Sequence, residues 1–249
     1  MKDKILNNFY RIRFWWYRIT KSKKLVHGNI YRNTHALNFS HNFYYDTAKK
    51  FNHHPSWGTY KGSNYYMPVF ENEFTTMYEP KVINGKTIPY ESTYAESVYQ
   101  QKYGIFICQM ILPKEKGSWP AFWLYGQKKY PEIDVFESFN HRNRDIGKST
   151  ITLHYGDTEH KQTKGFTFRV ERRKSLPRFH VFALDWRENY IKIYVDDVLV
   201  YQCTDKKILK YFDSPMHIIC NNSITEREAK KMDKDFVSTF YVSNVVIYD

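Results

Sequence analysis

Residues 132–137 read Glu-Ile-Asp-Val-Phe-Glu, three carboxylates interleaved with apolar side chains. In a regular strand, side chains at i and i+2 share a face and i+5 lies on the other, so Glu132 and Asp134 would point together and Glu137 away. One extra residue between Asp134 and Glu137, a β-bulge, shifts the register, returns Glu137 to the shared face and buries two of Ile133, Val135 and Phe136 on the other. Three like charges at such range repel, and a fold avoids them unless chemistry uses them. Retaining hydrolysis of a glycosidic bond does use them. It needs an ionised carboxylate as nucleophile and a protonated carboxyl as general acid, roughly 5 to 5.5 Å apart. A third carboxylate between them can hold a shared proton and push the two pKa values apart.

The bland alternative is a solvated strand with charges on its wet face. With Asp and Glu each at about 6% usage, Glu-x-Asp-x-x-Glu arises by chance in roughly one chain of this length in twenty. The flanks therefore decide the assignment. Upstream run Tyr103-Gly104-Ile105-Phe106, Ile111-Leu112-Pro113 and Lys116-Gly117-Ser118-Trp119-Pro120-Ala121-Phe122-Trp123-Leu124. Downstream come His154-Tyr155-Gly156, then Phe179-His180 through Asp185-Trp186, then Tyr190 to Val200 and Pro215 to Asn221. A last strand-like run spans Val242 to Tyr248. In this order the motifs resemble glycoside hydrolase family 16, the laminarinase, lichenase and agarase group, over roughly residues 39–249.

The resemblance implies an all-β fold, a β-jelly-roll sandwich of two antiparallel sheets with a concave substrate cleft. It implies Glu132 as nucleophile, Asp134 as its hydrogen-bonded helper and Glu137 as general acid and then base, in an endo-acting double displacement on a β-linked polysaccharide. Trp119 and Trp123 would flank the scissile linkage, and His154 would contact Asp134 or the sugar. Asn221 would donate to a sugar hydroxyl. Bulged sites of this kind look like those of endo-β-1,3-glucanases and galactan hydrolases. The modest positive charge of the main domain is compatible with sulfated galactans but too small to argue for them.

The elements that must position these residues are strands. Runs such as Gly104 to Leu112, Ser149 to Tyr155, Phe179 to Trp186 and Phe236 to Tyr248 are separated by turn signals including Asn84-Gly85 and Asp196-Asp197. A short helix around Ile224 to Met232 is the one helical pattern. At 249 residues the chain is long enough for one large β domain, taken as residues 26–249, with residues 1–25 a separate basic, aromatic segment. Tyr, Phe and Trp number 22, 18 and 6, more than a core of this size needs. Pyranose C–H faces pack on aromatic rings, and Trp57, Tyr60 and Tyr65 are further platform candidates beside the two tryptophans above.

The net charge of +12 would by itself suggest nucleic acid. Residues 1–24 hold eight basic side chains against Asp3, a local +7, which leaves +5 for the remaining 225 residues. The expected partner is polysaccharide, not nucleic acid. Arg11, Arg13 and Arg18 interrupt every apolar run of the N-terminal segment, so it reads neither as a secretory signal nor as a membrane span. Its mixture of basic residues with Trp and Phe suits a membrane surface, a protein partner, or an extension packed on the sandwich. Cys108, Cys203 and Cys220 sit singly in apolar contexts and read as buried free thiols. An odd count without an export signal fits synthesis in a reducing compartment, whereas the substrate lies outside cells. Release by lysis or carriage on a virus particle would reconcile the two. The wealth of Lys, Asn and Tyr suggests an AT-rich genome, compatible with a phage origin.

The chain departs from the family pattern at two places. After Asn221 the family continues through an apolar residue to Gly-Gly, whereas here Asn222-Ser223-Ile224 follows. The Val-Asp-Tyr that opens the closing strand, its Asp belonging to a convex-side calcium site, is replaced by Val242-Ser243-Asn244, which argues against structural calcium. No cofactor is required, and His53-His54 has no companion spacing for a catalytic metal. Two other classes stay open: a lectin-like binding module on the same sandwich, and a virion-associated docking protein anchored by residues 1–24. The three retained acids speak against the first.

Overall fold

Apolar and polar side chains alternate along most strands, and that period of two divides the chain into a shared interior and two outer faces. We describe the protein from a computed structural model covering residues 36–37, 59–61, 72–83, 85–126, 131–157 and 160–248. The N-terminal segment, Trp57 and Tyr65 lie outside the described residues, and of Tyr60 only the backbone is described.

The strands in chain order are β1 (Ala36–Leu37), β2 (Thr59–Lys61), β3 (Asn72–Ile83), β4 (Lys86–Gln101), β5 (Gly104–Ile111), β6 (Ser118–Gly126) and β7 (Glu132–Glu137). They continue as β8 (Lys148–Gly156), β9 (Lys161–Arg169), β10 (Phe179–Arg187), β11 (Tyr190–Val195), β12 (Val198–Cys203), β13 (Met216–Ile224) and β14 (Val237–Tyr248). Among the described residues two single-turn helices, α1 (Lys206–Leu209) and α2 (Glu226–Ala229), interrupt them, the second inside the stretch expected to be helical.

Hydrogen bonding runs in one path, β12-β11-β10-β5-β14-β3-β4-β13-β6-β7-β8-β9, with β1 on β14 and β2 parallel to β4. The path folds on itself at β3 and β4, so that the first half faces the second and the two layers of a jelly roll are continuous through one long hairpin. Ring contacts record the facing: Phe136 on β7 lies 5.0 Å from Phe182 on β10 and 5.6 Å from Phe240 on β14. One interior cluster takes Phe122, Leu124, Ile133, Val135, Phe136, Ile151 and Leu153 from one layer and Phe106, Phe182, Leu184, Trp186, Phe240 and Ile247 from the other. Fully burying each such side chain is worth about 1.5–3 kcal/mol. All three cysteines are buried free thiols.

The turn signals act as their chemistry dictates. Gly85 takes a positive φ of 75° between Ile83 and Lys86, which pair across the β3–β4 hairpin. Asp196 and Asp197 both take positive φ, 49° and 65°, between the paired Val195 and Val198. That is the primed two-residue turn favoured between right-twisted strands, and aspartate tolerates it.

Polar groups also cross the interior. Asn222 on β13, fully buried, donates through Nδ2 to the Phe74 carbonyl on β3 at 3.1 Å and to the carbonyl and hydroxyl of Ser238 on β14 at 3.0 and 3.1 Å. An amide at the position where the family pattern has an apolar residue thus ties the layers together. Removing the amide strands buried acceptors, each worth about 1–3 kcal/mol. Asn222→Ala should therefore lower the unfolding free energy by about 2–3 kcal/mol, read as a reduced urea midpoint at unchanged m-value; a midpoint equal to wild type would show that the amide contributes no net tie.

Candidate active site

The outer face of β13-β6-β7-β8-β9 carries the site. On β6 the alternation buries Phe122 and Leu124 and leaves Trp119, Trp123 and Tyr125 half-buried on the other side. On β7, Asp134 pairs with Thr152 of β8, but Glu137 pairs with Thr150, so three steps on β7 oppose two on β8. The same extra residue appears against β6, where Phe136 faces Phe122 and Asp134 faces Trp123. This is the bulge that the spacing requires. It differs from expectation in one respect: all three of Ile133, Val135 and Phe136, rather than two, are fully buried, because the bulge lets the adjacent Val135 and Phe136 share the core side. Glu132, Asp134 and Glu137 are left together on the opposite face.

His154 on β8 stands directly across from Glu132. Its Nε2 lies 3.0 Å from Asp134 Oδ2 and 3.6 Å from Glu132 Oε1. In the motif His154-Tyr155-Gly156, alternation sends His154 to the site and Tyr155 into the core against Tyr211 and Phe212. Gly156, at φ 112°, closes the turn into β9, where any Cβ would collide with the His160 carbonyl. Trp119 donates from Nε1 to Glu137 Oε1 at 2.8 Å, and Trp123 donates from Nε1 to Asn221 Oδ1 at 2.8 Å. The residues Trp119, Trp123, Glu132, Asp134, Glu137, His154 and Asn221 therefore fall on neighbouring strands in three bonded groups, Trp119 with Glu137, Trp123 with Asn221, and Glu132 with Asp134 and His154.

Burial sets the electrostatics. Desolvation, reinforced by the Asp134 charge, pushes the Glu132 carboxyl up to about 8, with nearby His154 pulling the other way. Asp134 is raised by burial, offset by its hydrogen bond with Glu132 and by the charge of Lys161. Glu137 is raised well above the usual range by burial and then by Asp134; the Trp119 indole opposes this by donating to its charged form. Burial also lowers His154, against the pull of Glu132. A neutral His154 donates Nε2–H to Asp134 and so supports the carboxylate in the middle of the three. Glu132, Asp134 and His154 also form a possible three-ligand cation cluster, with ligand atoms within 4.8 Å of one another.

Sequence reasoning did not single out Lys161, Thr150, Thr152, Phe139 or His141. Period-two alternation on β8 could have found the threonines, which share the face of His154. Lys161 pairs with Gly156 across the β8–β9 turn, a register that only the fold supplies. Phe139 stacks on Trp119 with ring centroids 5.2 Å apart and on His141 at 5.5 Å.

The chain is similar to several known proteins. The β-glucanase of Rhodothermus marinus is 30% identical over 168 residues, covering 57% of this chain and 57% of the relative. The glucan endo-1,3-β-glucosidase A1 of Niallia circulans is 29% identical over 141 residues, covering 49% of this chain and 20% of the relative. The chain thus matches less than three fifths of the length of these curated relatives. Among solved structures, LamAcat from Zobellia galactanivorans superposes with a TM-score of 0.66 at 20% identity, covering 84% of this chain and 90% of that one. The laminarinase catalytic domain of Thermotoga maritima gives 0.64 at 21% identity, covering 91% and 96%. These likenesses are of fold. The model of glycosyl hydrolases family 16 matches residues 57–242, three quarters of the sequence and the whole of the site around β7, and the chain belongs to that family.

Proposed function

We propose that this chain is an endo-acting, retaining hydrolase of β-linked glucan. The observation that carries the reading is the bulge between Asp134 and Glu137, which gathers three desolvated carboxyls on one face beside two indole donors. The names of the relatives, a β-glucanase and a glucan endo-1,3-β-glucosidase, favour glucan over galactan.

In the first step Glu137 gives its proton to the leaving glycosidic oxygen while a Glu132 oxygen attacks the anomeric carbon, forming a glycosyl ester as the C–O bond breaks. In the second, the Glu137 carboxylate takes a proton from water, whose oxygen attacks the same carbon and releases Glu132 as carboxylate with configuration retained. The acid must hold its proton while the nucleophile is ionised. Glu137, raised by burial and by two neighbouring carboxyls, suits the first role. Glu132 has His154 and Lys161 to favour its charge. Asp134 bonds to both Glu132 and His154 and holds the proton that the pair shares. Asn221, whose Oδ1 is occupied by Trp123, offers its amide hydrogens to a sugar hydroxyl.

Reducing-sugar release from laminarin, lichenan and agarose, with product configuration read by NMR, tests the reading; binding without turnover of any of them would return the chain to the lectin class. Glu137→Gln should lower kcat by roughly a hundred- to ten-thousand-fold. Azide should restore turnover and yield the β-glycosyl azide, whereas Glu132→Gly rescued by azide should yield the α anomer. The opposite pairing of anomers would exchange the two roles.

The pH–rate profile offers a second test. Asp134 raises both Glu132 and Glu137, so Asp134→Asn should move both limbs of the kcat/KM bell to lower pH, in addition to reducing its height. A bell that shrinks in place would remove Asp134 from the coupling.

Stability should respond with the sign of the Glu132 shift. Between the ordinary glutamate value and about 8 the folded state holds a proton that the unfolded chain has released, so folding stability falls as pH rises through that window. Glu132→Gln should consequently raise Tm at pH 8 by more than at pH 4; an equal change at both would contradict the raised carboxyl.

A further inference from the structure

The modest overall charge of the sandwich conceals a local concentration. An open cavity of about 640 Å³ is lined by Lys116, His141, Arg142, Arg144, Arg227 and Lys231. A smaller one of about 170 Å³ shares His141 and Arg142 with it and reaches Phe139, Thr150 and Thr167. Thr150 is the residue paired with Glu137. The smaller cavity therefore reaches the strand beside the acid end of the site, and the ring contacts Trp119–Phe139–His141 form a wall that runs from the indole bound to Glu137 to the basic lining.

The wall is built rather than incidental. Buried Asn140 donates to the Ser118 hydroxyl at 2.8 Å and the Pro113 carbonyl at 3.3 Å, and accepts from the Ser138 hydroxyl at 3.0 Å. This pins the segment 138–147 against the start of β6. Asp145 accepts from Arg142 and Lys148, each at 2.8 Å. Across the cavity, Glu228 of α2, 1% exposed, pairs with Lys231 at 2.9 Å and lies 3.7 Å from both Arg227 and His141. His141 Nδ1 and Glu228 Oε2 are buried without a hydrogen-bond partner. Over both cavities six cations and a histidine thus face two carboxylates, and Lys116 and Arg144 have no acidic partner among the described residues. Such an excess holds self-repulsion that an incoming oxyanion relieves, and guanidinium forks match the geometry of sulfate and carboxylate.

We propose that this cavity is a subsite for an anionic substituent, a sulfate ester or a carboxylate, on the polysaccharide that occupies the cleft. The proposal rests on the hydrolase reading only in taking its ligand to be a glycan. The test uses the full chain carrying Glu137→Gln, titrated calorimetrically with neutral, sulfated and carboxymethylated oligosaccharides of a β-1,3-glucan and of a β-galactan. The sulfated and carboxymethylated arms separate the two sources of charge. Anionic oligosaccharides should bind about tenfold more tightly than neutral ones, with a preference that weakens as salt rises. Lys116→Ala with Arg144→Ala should abolish the preference and leave neutral affinity unchanged. Lys206→Ala with Lys207→Ala, which removes the same charge from α1, should leave it intact. No preference on either backbone, or one that both pairs of substitutions erode equally, overturns the subsite. Wild-type protein that hydrolyses neither the neutral nor the anionic glycan, while the preference persists, sinks the hydrolase reading and leaves the subsite standing.

Discussion

One residue of excess length in β7 governs the molecule. Without it Glu137 would point into the interior beside Phe182 and Phe240, where an unpaired carboxylate costs more than the strand could return. With it, Val135 and Phe136 both enter the core and the three acids share the outer face. The bulge is held from both sides, because β6 and β8 each register the same extra residue. A slip of one position would exchange core for cleft along the whole strand, so the apolar packing that stabilises the fold also fixes the catalytic geometry.

The same face must keep acids together that repel. It does so by covering them. Trp119 and Trp123 shade the carboxyls and spend their indole N–H groups on Glu137 and Asn221, while a neutral His154 donates to Asp134. Burial raises all three carboxyls; Asp134 adds to the rise at both glutamates and His154 opposes it at both, while the Trp119 indole acts on Glu137 and Lys161 on Glu132. The arrangement turns a stability cost into raised proton affinity at both glutamates, with a different donor or cation beside each, which is what the proposed double displacement draws on.

Much of this is legible in the chain. The parity of Glu132, Asp134 and Glu137 dictates the bulge, and the Asp196-Asp197 turn and Gly85 lie where their chemistry puts them. The motif residues around Trp119, Trp123, His154 and Asn221 assemble as their order implies. What the sequence could not show depends on register between distant segments. Asn222 reads as a departure from a family pattern until β13 is laid across the interior from the paired β3 and β14, where its amide finds acceptors on both. Lys161 has no visible tie to the acids until the β8–β9 turn brings it round. The number of core residues beneath the bulge was also beyond parity, since counting faces does not say how two adjacent side chains share one side.

Alternation on β13 explains why the departure is tolerated. Asn221 faces the cleft and accepts from Trp123; the next residue faces the interior, where its amide stands in place of the apolar residue of the family pattern. The chain after it turns into α2, whose Glu228 approaches His141 on the segment following β7. The substitution at Asn222 and the loop that carries the basic rim are therefore consecutive consequences of one strand end. The strand that ties the sandwich from within runs on into a charged loop, and it is in such loops that relatives of one fold can differ in the polysaccharides they accept without moving their acids.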